Sequence, residues 1–253
     1  MDHLANHLSI YLLKLPVLTV RPPDIPDSSL QVTSLPNEHS EYLLPAAVLR
    51  TCPHPEYGRK LLAALREMAP QHSKDNVFHL ELDRAELLFG DLLGARADLE
   101  RMAGEGEGSF ELHYLLGRAL YASARKDAGQ KQTFMSQAAS EFLAAYPLDK
   151  LNAANLYFLS RSLDDGAGAP SRDVVNAAFS AAVLAPTVGE YAFHAAFISS
   201  RAGEREKAIR ALQPFASDPH NPKTVAAVAT MIAQLKEGKT IRGDVGPAPV
   251  ESH

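Results

Sequence analysis

From Asn76 to about Leu235, residues that stop helices recur at nearly even intervals: Gly90, the 104–109 turn, Pro147, 166–170, Pro186, Gly203 and 214–222. Between them the apolar residues keep the i, i+3, i+4 spacing of helices roughly three to four turns long, and no segment reads as a strand. A helix of that kind has one apolar face and cannot cover it alone. A chain that joins many such helices by short turns must pair and stack them, so internal repetition is the first property to test.

The test succeeds on segments with a shared frame. Tyr114-Leu-Leu-Gly-Arg118 and Tyr157-Phe-Leu-Ser-Arg161 each carry an aromatic, an Arg four residues later and a small residue just before that Arg. Leu80-Glu-Leu-Asp-Arg84 keeps Leu and Arg at the same spacing, and Phe193-His-Ala-Ala-Phe197 is a fourth member. Their starts at 80, 114, 157 and 193 are 34, 43 and 36 residues apart, and the long middle gap is read as an insertion at 124–133 (ARKDAGQKQT) between paired helices. A second anchor agrees: Gly90 precedes Ala95, and Gly203 precedes Ala208, by the same interval.

With these residues in view, the chain resembles the tetratricopeptide repeat family over about 76–220. The fourth unit carries the likeness best, since Ala202-Gly203-Glu204-Arg205-Glu206-Lys207-Ala208-Ile209-Arg210-Ala211-Leu212 looks like the family's turn and second helix. Leu116-Gly117-x-x-Leu120 is similar to its core signature, and Phe179-x-x-Ala182-Val183-x-x-Pro186 to the end of a unit. The chain departs from the pattern in having no Trp, in placing Ser160 and Ala196 where the family has a small Gly, and in bringing Asp83 and Glu86 to expected core positions. The resemblance implies an all-α fold, a right-handed solenoid of stacked antiparallel helix hairpins, with about four repeats in 76–220. At least about three stacked units are needed for a stable distributed core.

Around this repeat region the residues suggest four further pieces. Pro16, Pro22, Pro23, Pro26 and Pro36 make 1–40 an extended Pro-rich segment, and its apolar residues (Val17, Leu18, Val20, Ile25, Leu30, Val32) suggest that it packs on the solenoid. Helical spacing over 41–51 and 56–69, broken at Cys52-Pro53-His54-Pro55, predicts an N-terminal capping hairpin within 41–75. A capping helix is expected in 221–237, and the aperiodic 238–253 is expected to be a flexible tail. The apolar stretch 8–20 is interrupted by Lys14 and Pro16, too short for the roughly 20 residues of a membrane span, and lacks a basic region before it or a cleavage site after it.

Charge and composition narrow the chemistry. A net charge of −5 gives no basic footprint for nucleic acid. A single cysteine, Cys52, forms no intrachain disulfide, which suits a cytoplasmic protein. His3-x-x-x-His7 has ligand spacing without the acidic residue of a zinc-protease motif, and His79, His113 and His194 have no recurring acidic or Cys neighbour in sequence, so no metal is expected. The glycine-rich 104–108 follows a helix and carries two carboxylates, so it is a turn and not a phosphate cradle. No nucleophile elbow, phosphate-binding loop or Cys-x-x-Cys pair occurs, and neither a cofactor nor catalysis is expected.

The recurrent aromatic and Arg positions are the one constellation with functional content. Four residues apart on a helix, they share a face. In the resembled family that face lines a concave groove holding an extended peptide, and carried over here its wall would be Arg84, Tyr114, Arg118, Tyr121, Tyr157, Arg161, Phe193 and Phe197. Arg supplies paired donors for carboxylates and Tyr supplies contact area, a surface suited to an acidic or carboxylate-ended protein segment. The bland alternative is that the rings are inter-helix core and the arginines solvated edges. The family's clamp for chaperone tails uses Lys and Asn, of which only Asn155 is near a matching position. The expected function is a non-catalytic adaptor, scaffold or chaperone-like subunit. Two alternatives stay open: the repeat region or accessory subunit of a larger multidomain enzyme, and a module that self-associates as a homodimer.

Overall fold

The computed structural model describes residues 37–51, 54–217 and 221–241. The chain divides into two compact units, 1–37 and 38–253, and apart from Asn37 every described residue belongs to the second. The expectations for 1–36, for His3 and His7, for Cys52 and for the tail beyond Ile241 lie outside the described residues.

Among the described residues there are eleven α-helices: α1 (Asn37–Leu49), α2 (Pro55–Met68), α3 (Asn76–Phe89), α4 (Leu92–Gly104), α5 (Phe110–Lys126), α6 (Lys131–Ala145), α7 (Ala153–Leu163), α8 (Arg172–Leu184), α9 (Gly189–Arg201), α10 (Arg205–Leu212) and α11 (Pro222–Lys236), with a 3-10 turn at Gln213–Phe215. Most begin where a short polar side chain satisfies amides that the helix leaves unpaired. Asp75 accepts from the amides of Val77 and Phe78, Asp91 from Leu93, Ser109 from Leu112, Asn152 from Asn155, Ser171 from Val174 and Asn221 from Thr224. Each such cap contributes about 1 kcal/mol. Gly203, at φ +77°, turns the chain from α9 into α10, a conformation that residues with a Cβ rarely adopt.

From α2 onward each helix packs on the next, and the hairpins are α3–α4, α5–α6, α7–α8 and α9–α10. Successive hairpins also meet through like elements: α3 lies against α5, α5 against α7, and α8 against α10. The core is correspondingly spread out. Tyr42 and Leu49 of α1 and Leu62 and Leu65 of α2 cover Phe78 and Ala85 of α3. A central cluster joins Leu99 and Met102 of α4, Leu112 and Leu115 of α5, Phe142 of α6, and Leu156 and Tyr157 of α7. A third joins Val175 of α8, Ile198 of α9, Leu212 of α10 and Leu235 of α11, and Tyr191 packs against both of the last two. Each fully buried leucine stabilises the fold by about 1.5–3 kcal/mol.

Three boundaries differ from those read in the sequence. Residues 37–40, expected to be extended, are the first turn of α1. The supposed insertion at 124–133 is largely helix: α5 runs to Lys126, its C-terminal carbonyls complemented by Arg125 and Lys126, and only 127–130 form the turn. The chain also does not leave the fold at Gly238, because Ile241 is buried and its amide donates to Ser200 Oγ at 3.3 Å.

Candidate functional site

The hairpins share one register. The aromatic or Leu of each repeat is the fifth residue of its first helix, and the Arg or Phe that follows is the ninth: Leu80 and Arg84 on α3, Tyr114 and Arg118 on α5, Tyr157 and Arg161 on α7, Phe193 and Phe197 on α9. Spacing of four brings each pair to one face, and stacking brings that face into a continuous wall.

Three adjoining cavities run along it. The largest, about 1030 Å³, is lined by Tyr121, Tyr157, Arg161, Phe193 and Phe197, with Lys131, Asp164, Asp165, Glu190 and His194. The next, about 580 Å³, is lined by Arg118, Arg125, Lys126 and Arg161 around Tyr121, Tyr157 and Phe158, with Glu190 as its one carboxylate. The third, about 380 Å³, brings in Arg50, Arg84, Tyr114, Leu115, Arg118 and Ala154. Tyr157 and Glu190 border all three. All eight wall residues read from the sequence therefore line this run of cavities.

Their roles divide by chemistry. The rings of Tyr114, Tyr121, Tyr157 and Phe193 are buried, the first three in the central core and Phe193 in the C-terminal one. Of the two readings open from the sequence, contact area and inter-helix core, the packing is that of core: Tyr114 stacks on Phe110 at 5.7 Å, Tyr121 meets Phe158 edge-on at 5.4 Å, and Tyr157 stacks on Tyr191 at 4.7 Å. Burying such large apolar rings outweighs leaving them in solvent. Phe197 is half-buried, with the Arg201 guanidinium 5.4 Å above its ring.

The arginines are the polar part of the wall, and each meets a tyrosine or a carboxylate. Arg161 donates to the Tyr157 hydroxyl at 2.5 Å, and that hydroxyl donates onward to Glu190 Oε1 at 2.5 Å. Glu190 also lies 3.9 Å from Arg161. Arg118 donates to the Tyr114 hydroxyl at 2.9 Å and stacks on Phe158 at 4.3 Å. Arg84 is paired twice, with Glu111 and, at 3.2 Å, with Glu81, which Arg50 also engages. Glu81, Glu111 and Glu190 were not singled out in the sequence. The last two stand three residues before the repeated aromatic, so extending the frame one helical turn upstream would have found them.

Burial sets the protonation of the groups behind the wall. The His194 imidazole, under Arg161 and bonded to Ser160 Oγ at 3.0 Å, is pushed down to about 3, by desolvation first and by the Arg161 charge second. It is neutral at physiological pH. Desolvation and the hydrogen bond to Glu190 push the Tyr157 hydroxyl up, so it remains a donor. His79 and His113 are structural: the fourth residues of α3 and α5, they reach Asp98 at 3.2 Å and Glu141 at 2.8 Å on the second helices of their own hairpins. Among the described residues no group of three or more His, Cys, Asp or Glu is placed to hold a metal ion, and no helix is long and apolar enough to cross a membrane.

No family model matches this chain, and no curated protein sequence matches it. Among solved structures, its fold is similar to that of a thermophilic TPR protein from Thermus thermophilus, with a TM-score of 0.58 at 14% sequence identity, covering 78% of this chain and 99% of the other. At that identity the likeness is one of fold. The helix hairpins described above thus have a tetratricopeptide-like arrangement.

Proposed function

We propose that this tetratricopeptide-like stack is a non-catalytic adaptor, a right-handed solenoid that holds an extended, acidic segment of a partner protein along the concave wall of its first helices. One observation carries the reading: in the middle cavity Arg118, Arg125, Lys126 and Arg161 face a single carboxylate, Glu190, although the chain as a whole is acidic. A local cationic lining within an acidic protein favours an anionic ligand and disfavours non-specific attachment elsewhere. The buried tyrosines below hold the arginines rigidly, which lowers the entropy lost on binding. Residues 41–75 and 221–237 act as end caps in this scheme, and a cytoplasmic setting accords with the single cysteine.

The experiment is affinity purification with mass spectrometry from the native host, comparing wild type with the Arg118→Glu, Arg161→Glu double variant. The double variant should lose at least about tenfold of the specific partner signal while keeping its helical circular dichroism. Equal capture by the two proteins rejects the groove reading.

A second reading rests on a different surface. Leu143, Leu148 and Leu151 around the α6–α7 turn are 51%, 54% and 73% exposed, and Val183 near the end of α8 is 59% exposed. Exposed apolar side chains gathered at hairpin ends favour self-association. Light scattering on a size-exclusion column decides it, since a species at the 27.4 kDa of one chain excludes a dimer.

A further inference from the structure

The largest cavity, about 1030 Å³, is bordered by one group that the adaptor reading does not use, the imidazole of His194 on α9. Its Nε2 lies 3.0 Å from Ser160 Oγ, and that hydroxyl also donates to the Val174 carbonyl at 3.0 Å. A serine has one proton to give and a carbonyl can only accept, so the proton goes to Val174 and Nε2 carries the hydrogen that completes the second bond. This fixes the tautomer. The Nδ1 of the neutral ring keeps a bare lone pair and has no partner among the described residues. Unlike the unpaired Oγ of Ser162 beside it on the cavity wall, it is not closed off from solvent.

Beside this acceptor stands a donor. Arg161 gives one nitrogen to the Tyr157 hydroxyl at 2.5 Å, and its other N–H groups have no hydrogen-bond partner among the described residues. Its charge acts on the His194 ring, so the two groups are neighbours at the cavity. The carboxylates there are already engaged: Asp164 accepts from Arg201 at 2.7 Å, Glu190 takes the Tyr157 proton, and Asp165 accepts from the Ala167 amide at 2.8 Å. Lys131 stands exposed at the rim. Arg201 also donates to the Gly168 carbonyl at 2.8 Å, which ties the loop between α7 and α8 in place as a ready-made edge. With the charges paired among themselves and aromatic rings on the sides, the space suits a flat, uncharged molecule.

We propose that this cavity binds a free small molecule, a neutral planar amide carried on an aromatic ring, whose N–H donates to His194 Nδ1, whose carbonyl oxygen accepts from Arg161, and whose ring lies against Phe197. The site goes beyond the adaptor reading and does not depend on it. A bare lone pair beside a guanidinium discriminates among ligands of one shape. A carboxylate meets the Arg but opposes the lone pair, a ketone meets the Arg and leaves Nδ1 unpaired, and an amide satisfies both. The ring cannot adapt to a carboxylate by taking up a proton, because burial and the Arg161 charge both oppose it.

The test uses three molecules of nearly one shape, benzamide, acetophenone and benzoate, each titrated into the full-length, isotope-labelled protein and followed by NMR. Benzamide should shift the signals of Arg161, His194 and Phe197 and bind at least about tenfold more tightly than either of the others. The ring nitrogens of His194 give a second readout. In the free protein Nε2 should carry the proton and Nδ1 none, and the Nδ1 resonance should move with benzamide and stay in place with acetophenone. His194→Phe should weaken benzamide binding about tenfold and leave acetophenone unchanged. If that variant fails to fold, the three probes and the nitrogen resonances of the wild type decide the matter alone. A proton on Nδ1 in the free protein, acetophenone or benzoate binding as tightly as benzamide, or no shift of these signals with any probe overturns the site. So does equally tight binding of N-acetylglutamine methylamide, which carries the same amide on a flexible chain and would assign the cavity to a peptide side chain.

Discussion

The eighth residue of the first helix is Gly117 in the α5–α6 hairpin and Asp83 in the α3–α4 hairpin, and both positions face the second helix of their pair. At Gly117 a Cβ would come within 2.7 Å of the Phe142 ring, so the two helices approach as closely as a residue without a side chain allows. At Asp83 the same place holds a carboxyl that is 4% exposed, with Oδ2 lacking any hydrogen-bond partner. Ser160 and Ala196 occupy it in the third and fourth hairpins, Ser160 donating to the Val174 carbonyl at 3.0 Å. One position of the repeat thus ranges from tight apolar contact to a buried ionisable group. The repeat requires a residue small enough for the helices to meet, and the first hairpin fills that space with a group that must stay neutral to remain there.

The comparison breaks most visibly at Gly117. Gly117→Leu should destabilise the protein by at least about 3 kcal/mol, because the Phe142 ring is fully buried and has nowhere to go, and thermal unfolding monitored by circular dichroism will show it. Asp83 should respond to pH. Desolvation, then Asp98 and Glu86, raise its carboxyl to about 8, with Arg101 opposing. The native state therefore holds a proton that the unfolded chain releases near pH 4, and stability falls as pH climbs from about 4 to about 8, then levels. Asp83→Asn should remove that slope, matching wild type near pH 4 and exceeding it by about 5 kcal/mol at pH 9 in urea titrations. An unchanged slope would assign it to other groups. The smallest effect is expected in the third hairpin, where Ser160→Ala should cost about 1 kcal/mol by freeing the Val174 carbonyl and His194 Nε2.

Much of this arrangement is legible in the order of residues alone. The breakers divide the helices, the capping residues Ser109, Asn152 and Ser171 stand at helix starts, and the frame beginning at 80, 114, 157 and 193 lands on the fifth residue of every first helix. Even the unusual Asp83 is visible as a mismatch. What the sequence cannot assign is the partner of each face. Tyr114 and Tyr157 have the spacing of a wall and of a core alike, and only the stacked neighbours show that the rings are buried while the attached arginines border the cavities. Glu111 and Glu190 share a position in the frame, but each acts on an Arg of the preceding unit, and that pairing is set by the stacking of helices. Ile241 follows Gly238 with no periodic neighbours, yet its side chain joins the C-terminal cluster and its amide bonds a hydroxyl 41 residues away.

The division of the core into three clusters bears on how the molecule opens. Where units touch only their neighbours, unfolding can proceed inward from either end without passing through the whole chain. Tyr114, Arg118, Tyr157 and Ala154 all belong to the central cluster or pack against it, and Tyr191 joins that cluster to the C-terminal one. Fraying of α1 or of α11 therefore leaves the central part of the cavity wall standing. A partner held there, as proposed, would meet the slowest-exchanging part of the protein, and shortening the stack from either end would spare that part of the wall.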